Sequence, residues 1–129
     1  MEIDHKKIEL FKNLSQFDFD NVYYDFHNDF DCVKITFENN FLILFFKKIV
    51  EGYIISFKFE NVLLEKFYFF NFPELKNLTI DNLYRGRFEK NDELIEFDKN
   101  GKSYFYVEFY EGPKIELWCE NIMVEKVQE

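Results

Sequence analysis

The chain has 129 residues, a formal net charge of −9, two cysteines and no alanine. A chain of this length forms one domain, here residues 1 to 129, that can bury a core without metal or disulfide staples. The acidity argues against a nucleic acid partner, because phosphates need a basic footprint, and favours a basic protein partner. The alternative is that the charge only keeps a Phe-rich domain in solution.

The composition favours β structure. Alanine, the best helix former, is missing, while phenylalanine, tyrosine, isoleucine and valine suit pleated sheets. An AT-rich genome would explain the aromatic excess equally well. We predict a mainly β fold, with about eight antiparallel strands in a sandwich or a partly closed barrel and one short N-terminal helix.

The N-terminus, the longest apolar run and the cysteines predict the location of the protein and the state of its thiols. No apolar leader follows Met1, and the longest apolar run, from Phe41 to Phe46, is too short to span a membrane. We therefore expect a cytoplasmic protein without a membrane partner. Cys32 and Cys119 lie too far apart for a zinc or redox motif, so we expect reduced core residues, no metal and no cofactor.

The helix is predicted near the N-terminus. Apolar residues recur near helical spacing between Asp4 and Leu14, and Asp4 is a suitable N-cap. The aromatic and acidic segment from Phe17 to Phe30 has no clear period, which indicates a loop with a short strand around Tyr23.

From Asp31 onward the apolar period is two, as in β-strands. Asn39-Asn40 predicts a tight turn. In each strand, the alternate apolar residues are expected to face the core. The predicted inward positions are Val33, Ile35 and Phe37, and later Ile55, Phe57 and Phe59. A strand from Val62 is expected to end at Phe72-Pro73, and the later turns are expected at Asn91-Asp92 and Asn100-Gly101.

Two alternating runs between Lys102 and Glu125 predict a hairpin that turns at Glu111-Gly112-Pro113. Phe105, Val107 and Phe109 would face the core. The opposite face combines phenol groups, carboxylates and an indole, which suit a protein interface. We predict that this face binds the partner through six residues: Tyr104, Tyr106, Glu108, Tyr110, Glu116 and Trp118. An alternative for Trp118 is burial under the N-terminal helix.

An internal repeat is visible at an offset of sixty residues. Segment 59 to 67 aligns with segment 119 to 127, with Glu60-Asn61 matching Glu120-Asn121. This suggests that 30 to 67 and 90 to 127 are duplicated β units, although so biased a composition also produces such matches by chance. In either case, each Glu-Asn pair is expected at a bend between two strands.

Two polar groups are weaker candidates for a site. Arg85 and Arg87 are the chain's two arginines, and they could bind an acidic ligand or pair with the domain's own Asp81 or Glu96. The segment Asp25, His27, Asp29 and Asp31 would line one face if extended. A lone histidine among aspartates fits no metal-ligand spacing, so we interpret this segment as a solvated loop edge.

The segment from Phe26 to Cys32, together with Tyr84 to Glu89 and Tyr104 to Tyr110, resembles small acidic β-rich domains of low-GC bacteria. Some of these are similar to immunity proteins of polymorphic toxin systems. The resemblance implies that the protein neutralises a toxin by binding it. We therefore expect a non-catalytic protein-binding domain, with a small-molecule or lipid-binding β-barrel as the alternative.

Overall fold

The computed structural model describes residues 1 to 69 and 77 to 127 of the chain. The predicted strand end at Phe72-Pro73 lies outside these residues. Thirteen strands occur within the described part, more than the eight expected, because five short strands of three or four residues accompany eight longer ones.

One layer is a five-stranded antiparallel sheet. It consists of β1 (Glu2–Asp4), β4 (Phe30–Glu38), β5 (Phe41–Lys48), β6 (Ile54–Glu60) and β13 (Asn121–Lys126). The spatial order is β1-β13-β6-β5-β4. The β4–β5 hairpin turns at Asn39-Asn40, where both residues have positive φ as a two-residue hairpin loop requires. This hairpin confirms the prediction.

The other layer is a four-stranded antiparallel sheet. It consists of β7 (Leu63–Tyr68), β8 (Ile80–Arg85), β11 (Ser103–Phe109) and β12 (Lys114–Cys119). The spatial order is β7-β12-β11-β8. The β11–β12 hairpin turns at Glu111-Gly112-Pro113, as predicted.

Two small hairpins complete the fold. β2 (Gln16–Phe19) pairs with β3 (Val22–Asp25), and β9 (Phe88–Lys90) pairs with β10 (Glu93–Ile95). Their turns, at Asp20-Asn21 and Asn91-Asp92, again have two successive residues with positive φ. The sequence predicted the second of these turns, but the segment that forms β2 was assigned to a loop.

The core lies between the two larger sheets, which form an antiparallel β-sandwich and do not close into a barrel. Phe57 and Phe59 of one sheet and Phe105 and Phe109 of the other are at most 1% exposed, and the rings of Phe59 and Phe105 lie 5.9 Å apart. The predicted inward rows of β6 and β11 are therefore confirmed.

In β4, Ile35 packs against the core as predicted, but Val33 is the extra residue of a β-bulge and is not part of the core, where Cys32 lies instead. Phe37 lies on the inward face but is 50% exposed, because it is near the end of β4.

The predicted helix from Asp4 to Leu14 is wrong. Asp4 does cap a turn by accepting from the Lys6 amide at 2.8 Å, but that turn is a single 3-10 turn, His5–Lys7. The carbonyls of His5 and Ile8 accept hydrogen bonds from the Arg85 guanidinium. The contact between Arg85 and the Ile8 carbonyl replaces the bond to residue 12 that an α-helix would need.

Both Glu-Asn pairs of the repeat lie at bends where the chain crosses between the sheets, as predicted. β6 leads through Asn61 to β7, and β12 leads through Glu120 to β13. The pairing is reciprocal, because β6 pairs with β13 and β12 pairs with β7. The Asn61 amide donates to the Glu120 carboxylate at 2.7 Å and joins the two bends. A duplicated origin of the two units stays a prediction.

Within the described residues, no helix is long and apolar enough to cross a membrane.

Candidate functional site

The predicted binding residues of β11 and β12 occupy the outer face of the four-stranded sheet. Tyr104 lies opposite Trp118, and Tyr106 lies opposite Glu116. Alternation places these side chains away from Phe105, Val107 and the rest of the core. The sequence therefore predicted correctly which side of the sheet they occupy.

Part of this outer face is covered by the β9–β10 hairpin. The sequence predicted the turn of this hairpin but not its packing on the sheet. The Phe88 ring lies 5.5 Å from the Tyr104 ring and 5.8 Å from the Trp118 ring. Tyr104 is 5% exposed and Trp118 is 3% exposed. The expectation that both are exposed anchors is wrong, and so is burial under an N-terminal helix, because the covering element is a hairpin.

The rest of the outer face is half-buried and tied together by hydrogen bonds. The Tyr106 hydroxyl donates to one oxygen of Glu108 at 2.9 Å, and Asn82 donates to the other at 3.0 Å. The Tyr104 hydroxyl donates to Glu116. Burial, followed by these carboxylate contacts, raises the pKa of Tyr104 and Tyr106 well above the usual range of tyrosine. The phenols therefore stay neutral donors that hold the carboxylates in fixed positions.

A cleft of about 390 Å³ opens between the β9–β10 hairpin and β7. Its apolar wall is formed by side chains from three places in the chain: Leu63, Phe88, Ile95, Phe97 and Trp118. The charged side chains around it are Glu65, Lys90, Asp98 and Lys99. Trp118 therefore takes part in this site as its floor, with its indole N–H donating to Glu65 at 3.1 Å.

Asp98 organises the loop at one end of this cleft. Its Oδ1 accepts from the backbone amides of Asn100 at 2.9 Å and Lys102 at 2.7 Å. Its Oδ2 is buried and has no hydrogen-bond donor among the described residues. A buried carboxylate oxygen without a donor is an acceptor whose bonding capacity is unfilled.

The two arginines have different structural roles. Arg85 is 7% exposed, its guanidinium donates to the His5 and Ile8 carbonyls, and it lies 5.0 Å from the centre of the Phe97 ring. Arg85 is therefore held within the chain and not placed for an external ligand, and its hydrogen-bond partners among the described residues are backbone carbonyls and not the expected Asp81 or Glu96. Arg87 pairs with Glu96 at 3.6 Å, which confirms the internal alternative for that residue.

The segment that contains Asp25 and His27 is a turn and not an extended row. Asp25 accepts from the backbone and side-chain amides of Asn28, both at 2.9 Å. His27 donates from Nδ1 to the Ile80 carbonyl at 2.6 Å, and its ring stacks on Tyr110. The predicted binding residue Tyr110 is 57% exposed but lies beside this turn, beyond the end of β11.

The structure also brings together His5 and Ser103, a pair that the sequence did not predict. His5 Nδ1 is hydrogen-bonded to the Ser103 hydroxyl, and Ser103 is fully buried. Burial lowers the pKa of His5, with Arg85 contributing in the same direction. The two residues are far apart in sequence and share no motif, so no sequence signal could have found them. A serine without exposed surface is not placed to attack a substrate.

Other reactive groups are equally enclosed. Burial raises the pKa of the Cys32 thiol to about 12 and that of Cys119 well above its usual value. Both cysteines are free and buried, as expected. Across residues 1 to 69 and 77 to 127, no group of three or more His, Cys, Asp or Glu side chains is arranged to hold a metal ion.

No protein-family model, no curated protein and no solved structure matches this chain. The resemblance to immunity proteins therefore stays a prediction.

Proposed function

We propose that this chain is a non-catalytic protein-binding domain of the cytoplasm that binds a basic partner, and that the partner is a bacterial toxin which it inhibits. The observation that carries the proposal is the cleft between β7 and the β9–β10 hairpin. An apolar cleft with a polar rim is the kind of site into which a partner inserts an anchoring side chain.

The chemistry of the cleft suits a cationic side chain. Phe88, Phe97 and Trp118 offer aromatic surface, over which a guanidinium or ammonium group is attracted. Glu65 supplies a carboxylate for charge-assisted hydrogen bonds, and Asp98 adds a second negative charge at the end of the cleft. An arginine satisfies both requirements, since its planar group stacks on aromatic rings and bonds carboxylates with a fork of donors.

The local charge of the cleft differs from the net charge of the whole protein, so the two contribute differently to binding. Lys90 and Lys99 offset the two carboxylates around the cleft, so the cleft itself is not strongly acidic. The net charge of −9 supplies the long-range attraction for a basic partner. The partner's charge should therefore govern how fast it associates, and the fit in the cleft should govern how slowly it leaves.

The part of the outer face that the β9–β10 hairpin leaves open adds a second contact area beside the cleft. Tyr106, Glu108 and Glu116 are half-buried and held by the hydrogen bonds described above. Side chains that are already fixed lose little entropy when a partner binds. We therefore retain these three residues in the proposed interface, with Trp118 and Tyr104 supporting it from below.

The test uses two neighbouring residues of β10. Ile95 lines the cleft, whereas Leu94 is 63% exposed and is not among the residues that line it. The candidate partner is a basic protein encoded beside this gene, and its affinity is measured by titration calorimetry. We expect Ile95→Ser to weaken binding by about tenfold or more, as for an interface hot spot, and Leu94→Ser to change it little. Equal effects of the two substitutions, or no binding by the unaltered protein, would refute the proposal.

A small organic molecule is the second candidate ligand, because a cleft of about 390 Å³ is within the usual size range of small-molecule sites. The lumen of a barrel is no longer a candidate site, since the sheets form a sandwich. Trp118 is the chain's single tryptophan and forms the cleft floor, so its fluorescence reports occupancy. Saturable quenching by an aromatic probe such as anilinonaphthalene sulfonate, lost in Ile95→Ser, would favour this candidate.

A further inference from the structure

The strand β7 lies at the edge of the four-stranded sheet, and β12 is its one strand neighbour among the described residues. All six residues of β7 are exposed, including Leu63 at 47%, Leu64 at 37% and Phe67 at 46%. From Leu63 to Phe67, the described residues place no strand on the other side of β7, so this edge offers its backbone groups to another strand, and the apolar side chains increase the gain from pairing. This edge is therefore suited to adding a strand.

The order of side chains along β7 is complementary to its own reverse. The strand runs Leu63, Leu64, Glu65, Lys66, Phe67, Tyr68. In an antiparallel pair centred between Glu65 and Lys66, each glutamate lies opposite a lysine of the other copy. Leu64 then lies opposite Phe67, and apolar and opposite-charge pairs of this kind stabilise neighbouring strands.

The β-bulge in β7 makes this register geometrically consistent. A two-fold axis perpendicular to a sheet keeps every side chain on its own face, so residues paired across the axis must share a face. In a regular strand Glu65 and Lys66 would point to opposite faces. Here Lys66 lies opposite Glu116 and Leu64 lies opposite Leu117, so Glu65 is the extra residue of a bulge.

The side-chain contacts agree with this assignment of faces. Glu65 accepts from the Trp118 indole, which belongs to the outer face, and Lys66 lies opposite Glu116 on that same face. Leu64 and Phe67 lie opposite Leu117 and Ile115, whose side chains point into the core. The sheet face on which each side chain lies and its chemical type are therefore both symmetric about the point between Glu65 and Lys66.

We propose that β7 pairs with β7 of a second copy of this chain, so that the two four-stranded sheets form one continuous sheet of eight strands. The strand carries one acidic and one basic residue, so it is neutral in a protein of net charge −9. The pairing does not require the proposed toxin-binding function, and the two proposals share Leu63 and Glu65 of β7, which also line the cleft. A six-residue edge gives an interface below the standard size, and such a dimer dissociates on dilution.

The experiment is sedimentation equilibrium of the purified full chain and its charge variants near physiological salt. For the unaltered chain, we expect the average mass to rise from 16.0 kDa towards twice that value between roughly 10 µM and 1 mM. Lys66→Glu and Glu65→Lys each turn two attractive pairs into repulsive ones. Each should weaken self-association by about tenfold or more. The matched controls Lys7→Glu and Glu93→Lys make the same charge changes at exposed positions outside β7.

Mixing the two variants provides the decisive arm. Lys66→Glu carries two acidic residues at the centre of the strand and Glu65→Lys carries two basic ones, so a mixture should recover dimers that neither variant forms alone. Thermal unfolding of each variant shows whether it is folded. A chain that stays at 16.0 kDa throughout would overturn the proposal. So would single variants that associate as well as the unaltered chain, or a mixture of folded variants that stays monomeric.

Discussion

The two faces of the β11–β12 hairpin are equally regular in sequence but differ in what covers them. The inner row, with Phe105, Val107 and Phe109, packs against the five-stranded sheet and is fully buried. The outer row begins with Tyr104, which is buried under the β9–β10 hairpin, and reaches the half-buried Tyr106 and Glu108. Alternation therefore specifies the side of a sheet on which a residue lies, and the docking of distant segments decides whether that residue meets solvent.

The largest expected effect is on the inner face. Phe109→Ala should lower the free energy of unfolding by about 4 kcal/mol, because it removes a ring that is 1% exposed and leaves a cavity. Chemical denaturation followed by circular dichroism gives the value. The control Phe37→Ala removes the same side chain where it is 50% exposed, and should cost less than about 1 kcal/mol. Similar losses at the two sites would mean that the inner face is misassigned.

The second prediction concerns the covered part of the outer face. Trp118→Ala should destabilise the protein by about 3 kcal/mol, because the indole contacts Phe88 and Tyr104 and donates to Glu65. Tyr110→Ala, at a position 57% exposed, should cost less than about 1 kcal/mol under the same conditions. If Trp118→Ala is as mild as this control, the β9–β10 hairpin does not cover the sheet in solution.

Local patterns predicted most of the fold because they act over a few residues. Asn39-Asn40 and Asn91-Asp92 suit the positive φ values of tight hairpin turns, and period-two rows define the inner faces of β6 and β11. The N-terminal helix was predicted from apolar spacing and from Asp4 as its N-cap. The prediction was wrong because the guanidinium of Arg85, a residue distant in sequence, donates hydrogen bonds to backbone carbonyls of that segment.

The candidate site was predictable only in part, because its walls come from separate segments. The sequence identified Trp118, Glu108 and Glu116 as members of one face. It did not indicate that Leu63 and Phe97 would meet Trp118 to form a cleft. Such contacts depend on how β7 and the β9–β10 hairpin dock, and period-two patterning carries no information about docking.

The smallest of the three expected effects is a dependence of stability on pH. It arises at the beginning of β11, where a segment distant in sequence makes another buried contact. Ser103 is covered by the N-terminal segment through its hydrogen bond to His5. Burial lowers the pKa of His5 below its usual value of 6.5, and the charge of Arg85 acts in the same direction, whereas Asp4 and Glu120 oppose it. The folded protein therefore binds a proton at His5 less readily than the unfolded chain does.

This difference fixes the sign of the pH dependence. Because the unfolded chain takes up the proton first, stability is complete above about pH 6.5 and falls as the pH drops below that value. Denaturation midpoints measured between about pH 7 and pH 5 should decline for the unaltered protein and decline less for His5→Gln, which keeps a polar side chain but does not titrate in this range. Asp4 and Asp25, whose pKa values are lowered in the folded protein by hydrogen bonds to their carboxylates, lose their contribution mainly at lower pH, so the variant isolates the histidine. Identical declines in the two proteins would show that the N-terminal segment does not enclose His5. The N-terminal segment would then not cover Ser103 in solution. The cover of Trp118 by the β9–β10 hairpin is tested separately by Trp118→Ala.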